Sequence, residues 1–82
     1  MEVRLHPHAI TRLAERGASE AEVIATVEEG ERSPAKRGRH AFRRNFAYNA
    51  QWRGRKYANK QVEAIAVEED GWLVITVMVR FF

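Results

Sequence analysis

Three residues near the N-terminus have types and spacing suited to a phosphate. His8, Arg12 and Arg16 recur every four positions. On a helix, at about 100° per residue, Arg12 falls about 40° from His8 and Arg16 about 80°. An imidazole exchanges protons near neutral pH, and guanidinium forks bind phosphate oxygens in pairs. The stripe reads as a phosphate-binding or catalytic edge. An equally good reading is structural, with His8 bonding locally and both arginines paired to Glu15, Glu20 or Glu22.

A second set lies near the C-terminus. Alternation puts Thr76 and Arg80 on one face of a strand, and pairing across an Asp70-Gly71 turn brings Glu63 to the same face. Arg80 could clamp a phosphate, with Glu63 as orienter or base. The structural alternative is an exposed cross-strand ion pair, worth under about 1 kcal/mol. Lys56 and Tyr57 form a third set, one binding phosphate and one stacking on a base. Their alternative is a solvated strand edge. His6-Pro7-His8 does not suggest a metal site, because residues two apart on a helix point about 200° apart. No nearby carboxylate completes such a site, His40 is remote, and the chain has no cysteine. No metal and no cofactor are expected.

Charge is unevenly distributed. Residues 1–31 hold three Arg and seven Glu, and residues 61–82 hold one Arg against three Glu and one Asp. Residues 32–60 hold seven Arg and three Lys with no acid. An ordinary surface mixes signs, so this block implies nucleic acid or an acidic protein as partner. Aromatic residues interleave it, and aromatic faces stack on unpaired bases. Arg39, Arg43, Arg44, Arg55, Lys56, Tyr57 and Lys60 are the expected nucleic-acid contacts within the block, with Arg16 and Thr76 beside it.

The elements that must hold these groups follow from periodicity and punctuation. With 82 residues, 45% hydrophobic and 30% charged, one domain over 1–82 is expected. No G-x-G-x-x-G or Walker pattern occurs, and no apolar run reaches membrane length. The N-terminus lacks the apolar core of a signal peptide, so a cytoplasmic location is expected. Glu2 to Leu5 alternates as a short strand. Pro7 suits a helix first turn with His6 as N-cap, and Gly17 suits its end. Ile10, Leu13 and Ala14 would form the apolar stripe of this helix. Ser19 with Glu22 is a capping box opening a second helix that Gly30 ends, with Ala21, Val23, Ile24 and Val27 as its apolar positions. That helix carries Glu20, Glu22, Glu28 and Glu29 and no cation, which argues against a DNA-reading helix.

Ser33-Pro34 and Gly38 read as a loop. A strand follows on which Phe42 and Phe46 should face the helices, leaving Arg43 and Asn45 on the open side. Arg53 to Tyr57 is a further candidate strand. A two-residue Asp70-Gly71 turn would pair Val62 with Val79, Ala64 with Val77 and Ala66 with Ile75 on a dry face. The expected fold is α+β: βαα followed by three or four antiparallel strands, with the helices on one face.

The run Leu5-His6-Pro7-His8-Ala9-Ile10-Thr11-Arg12-Leu13-Ala14-Glu15-Arg16-Gly17-Ala18-Ser19 resembles the opening of the bacterial family called domain of unknown function 4258. Gly38-Arg39 before an aromatic strand and Ile75-Thr76-Val77 in the last strand fit it as well. Ala18 and Met78 depart from the family's usual bulky aliphatic and aromatic residues. That family is similar in layout to RelE/ParE-type and BrnT-type toxins of toxin–antitoxin modules. The resemblance implies a RelE/ParE-like fold and a toxin-like, metal-independent endoribonuclease that binds RNA through the 36–60 block. It also implies an acidic antitoxin protein as partner. In such an enzyme His8, Arg12, Glu63 and Arg80 would be the catalytic group. A non-catalytic nucleic-acid- or protein-binding module of the same fold is the alternative, as is a ParE-like gyrase inhibitor.

Overall fold

The structure is a computed structural model and describes residues 1–82. Its elements are β1 (Val3–Leu5), α1 (Pro7–Arg16), α2 (Glu20–Glu29), β2 (Glu31–Pro34), a short 3-10 turn (Lys36–Gly38), β3 (His40–Trp52), β4 (Arg55–Glu68) and β5 (Trp72–Phe81). The sheet order is β1-β5-β4-β3-β2. It is a five-stranded mixed sheet rather than three or four antiparallel strands, because β1 joins β5 in parallel. The expected loop at Ser33-Pro34 is edge strand β2, where proline is tolerated because one side of the strand needs no donor.

Both helices begin and end for local reasons visible in the sequence. Pro7 occupies the first turn of α1, and the His6 ring accepts the His8 backbone N–H at 3.0 Å. Gly17, at φ 80°, closes α1 in the left-handed conformation. Ser19 and Glu22 make the reciprocal capping box that opens α2. Gly30 ends α2 in extended backbone, and a Cβ there would meet the Thr26 and Arg43 carbonyl oxygens, the latter at 2.6 Å.

The helices lie on one sheet face over Phe42, Val62, Ala64, Ala66, Trp72, Val74 and Val77. In α1 the buried residues are Ala9 and Leu13, while the expected Ile10 and Ala14 are exposed. The helix is rotated by roughly a quarter turn from the expected orientation. Ala9 lets it approach β5 closely, and the rotation turns Arg12 and Arg16 toward that strand, both half-buried. In α2 Val23, Thr26 and Val27 are buried, Thr26 satisfying its hydroxyl on the Glu22 carbonyl at 2.7 Å. Ala21, expected in the stripe, is exposed.

The β4–β5 register matches expectation from Gln61↔Arg80 to Ile65↔Thr76 and then shifts at a bulge. Ala66 pairs with Val74 instead of Ile75, and the connection has three residues, Glu69 to Gly71. The bulge turns Trp72 inward, where it meets Phe42 and His40 edge-on at 5.1 and 5.0 Å. Burying an indole removes more apolar surface than burying Leu73, which the expected register would have placed inside. β1 reinforces the shift, because Glu2 accepts the Trp72 N–H at 2.7 Å. At the other end, β3 and β4 join through Arg53-Gly54, with φ 51° and 82°, a tight turn of the primed kind.

Candidate functional site

α1 and β5 build a small cleft lined by His8, Ala9, Arg12, Arg16, Ile75, Thr76 and Val77. The α1 rotation puts the His8-Arg12-Arg16 stripe beside β5, and the bulge at Ile75 sets where Thr76 and Val77 stand against it. Arg16 donates to the Val77 carbonyl at 2.7 Å. The chain's four ion pairs are Arg4–Glu2, Arg43–Glu63, Arg44–Glu29 and Lys60–Glu22, so neither Arg12 nor Arg16 is neutralised by a carboxylate. The pairing of these arginines with Glu15, Glu20 or Glu22 is therefore not the arrangement adopted. His8 is exposed at the mouth of the cleft.

Glu63 and Arg80 lie elsewhere, on the helix-free face of the sheet. They line a separate depression with Gln61, Met78 and Val79. Glu63 is engaged by Arg43 at 3.0 Å, and the Arg80 guanidinium stands 4.8 Å over the Phe82 ring. The four expected catalytic residues thus divide into two pairs, and Thr76, which keeps the expected face of Met78 and Arg80, also borders the cleft with His8 and Arg12.

The basic block does not form one surface. Lys60, an expected nucleic-acid contact, is buried at 6% exposure and donates to the Gly17 carbonyl at 2.7 Å and to Glu22 at 2.8 Å. An ammonium in that position holds the α1–α2 corner to the sheet and is closed to a phosphate. Burial pushes the Glu22 carboxyl up, but hydrogen bonds from Lys60 and the Ser19 backbone, with the Lys60 charge, hold it below its ordinary value. Arg44 faces the helices and bonds Glu29 at 3.0 Å, while its neighbour Arg43 faces the open side. Tyr57, the expected stacking platform, is half-buried with its ring 5.6 Å from Phe81, which also stacks on Trp52 at 4.9 Å. Arg55 and Lys56 are exposed at the β3–β4 tip, and Arg39 follows the turn at the other end of β3. Thirteen strand residues separate those two ends, about 40 Å of extended chain.

Residues 5–79 match the family model described as Domain of unknown function (DUF4258). The chain belongs to this family. No curated protein and no solved structure matches it. The DUF4258 match takes in His8, Arg12, Arg16, Glu63 and Thr76 and ends one residue before Arg80.

Two contributors to the DUF4258 cleft escape a reading by residue type. Ala9 carries no chemistry, yet its small side chain lets α1 reach β5. Arg53 belongs to the tip turn and donates to the Glu15 carbonyl at 2.7 Å, tying the hairpin to the end of α1. The Arg53-Gly54 pair between two alternating segments was the available signal for that turn.

Proposed function

We propose that this DUF4258 chain is a toxin-like, metal-independent endoribonuclease whose phosphate site is the cleft between α1 and β5. The observation that carries this reading is the convergence of His8, Arg12, Arg16 and Thr76 with no carboxylate paired to either arginine. In the proposed reaction His8 takes the proton of a ribose 2′-OH as that oxygen attacks the adjacent phosphorus. Arg12 and Arg16 stabilise the extra charge on the non-bridging oxygens. The P–O5′ bond breaks, the imidazolium returns its proton to O5′, and a 2′,3′-cyclic phosphate remains. Arg55 and Lys56 at the hairpin tip, and Arg39 at the far turn, would steer the strand electrostatically. An acidic partner protein that silences the activity and a RelE/ParE-like fold belong to the same proposal.

The test is a fluorescent single-stranded RNA incubated with purified protein, with and without EDTA, at low and moderate salt. Cleavage that survives EDTA and leaves cyclic-phosphate ends is expected, with a loss of about 10²–10⁴-fold on His8→Ala. One observation favours a second reading, a nucleic-acid-binding module without catalysis. Glu63 is held by Arg43 outside the cleft, which leaves His8 as the sole proton-transfer group there. RNA that binds with steep salt dependence, stays whole and ignores His8→Ala would decide for the module.

A further inference from the structure

The most incomplete part of the sheet is the far half of β5. β1 pairs with it only from Trp72 to Val74, so from Ile75 onward β5 has no strand on that side. The direction of its backbone groups can be read residue by residue. Phe82 exchanges both backbone hydrogen bonds with Asn59 of β4, so by alternation Arg80, Met78 and Thr76 also face β4. Val77, Val79 and Phe81 then turn their N–H and C=O groups outward. The Arg16 bond to the Val77 carbonyl agrees independently, since it reaches that group from the free side.

The outward groups open into a groove. Beyond the small cleft lies a wider cavity of about 310 Å³ lined by Glu15, Arg16, Trp52, Arg53, Met78, Val79 and Phe81. Arg12, Arg16 and Arg53 flank the edge from α1 and from the hairpin tip, against the single carboxylate of Glu15. We infer that this edge takes an extended, acidic segment of a second protein as an added β-strand along Val77–Phe81.

Two features select that occupant. A strand edge offers donors and acceptors in alternation, which fits another peptide backbone, whereas a phosphodiester offers acceptors alone. The flanking guanidinium groups call for carboxylates on the incoming segment. A second copy of this chain fits poorly. Antiparallel pairing of two β5 edges about Val79 would set Arg16 of one copy toward Arg53 of the other. On docking, Arg16 would yield the Val77 carbonyl to an incoming N–H and turn to a carboxylate. A charged side chain standing on an open edge is also a known way to keep sheets from pairing at random. The inference deepens the acidic-partner part of the proposed function, and its test contains no RNA, so a failed nuclease assay leaves it standing.

The probe is a blocked seven-residue peptide alternating valine and glutamate, titrated into the intact protein and followed by amide hydrogen exchange and NMR. Exchange at the Val77, Val79 and Phe81 amides should slow at least tenfold. The same peptide with lysine in place of glutamate should show no binding. A version N-methylated throughout, which keeps the charges but has no N–H, should bind at least tenfold more weakly. Arg53→Gln should weaken the parent peptide severalfold. The inference is overturned if the N-methylated peptide binds as well as its parent, or if the protected amides lie elsewhere. Absence of binding overturns it too. Protection of the same amides in the protein alone, rising with its concentration, would give the edge to a second copy instead.

Discussion

Lys56 and Lys60 lie four residues apart on β4, share a side-chain parity, and meet opposite surroundings. Lys60 sits beneath the α1–α2 corner, buried against Gly17 and Glu22. Lys56 is exposed at the hairpin tip. The difference comes from element geometry. A ten-residue helix is about 15 Å long, whereas the fourteen residues of β4 extend over about 45 Å. The helices therefore cover only part of the sheet, and the tip projects past them. The same side chain is a structural pin under the helices and a solvated charge a few residues further on. A run of cations in a sequence is thus a mixture that the overlying layer sorts.

That contrast can be broken by substitution. The largest effect is expected for Lys60→Met, which leaves the Glu22 carboxylate without its ammonium partner. Removing one member of a buried pair costs about 3–5 kcal/mol, and the partial exposure of Glu22 reduces this to about 2–3 kcal/mol. Urea unfolding midpoints at neutral pH measure it. Gly30→Ala should cost about 1–3 kcal/mol in the same assay, because the new Cβ meets backbone oxygens of Thr26 and Arg43 that cannot swing away.

The pin also makes stability depend on acid. The folded-state pKa of Glu22 is lowered, so its contribution is present above the ordinary carboxylate value of 4.5 and is lost as pH falls through the lower folded value. Wild-type protein should lose stability across that range, and Lys60→Met should show a shallower loss. An equal slope in the two proteins would mean that Lys60 does not hold Glu22. Smaller still, Arg44→Ala removes a half-exposed ion pair with Glu29 and should cost under about 1 kcal/mol. Lys56→Ala should leave stability unchanged. Its effect should appear in RNA affinity, where losing one phosphate contact lowers the salt slope by about one.

Much of the frame was legible in the sequence because its signals are local. Pro7, Gly17, Ser19 and Glu22 fix the helix ends through contacts a few residues long. The register from Gln61 to Ile65 followed from strict alternation of apolar and polar residues. The structure departs from local preference where a distant partner outweighs it. Asp70-Gly71 favours a two-residue turn, but the parallel bond from Trp72 to Glu2 and the burial of the indole require three. Ile10 and Ala14 form a reasonable apolar stripe, yet α1 turns Ala9 and Arg16 inward because β5 offers a close surface and a free carbonyl. For the candidate site, spacing along α1 puts His8, Arg12 and Arg16 on one side of a single helix, and all three border the α1–β5 cleft. It could not show that Glu63 would be taken by Arg43, a residue twenty positions away on a neighbouring strand.

The bulge between Ile65 and Ala66 makes β5 a strand with two phases. Before it, even-numbered residues such as Trp72 and Val74 are inside; after it, odd-numbered Val77 takes that place. Ile75 is the extra residue, with no partner on β4, so deleting it would close the bulge and leave Val74 and Val77 both inside. Keeping every residue in an unbroken pleat would instead turn one half of the strand inside out: Trp72 would be expelled, or Arg80 drawn toward the core. Related chains that keep this core should therefore carry the extra residue together with its bulge, or lack both.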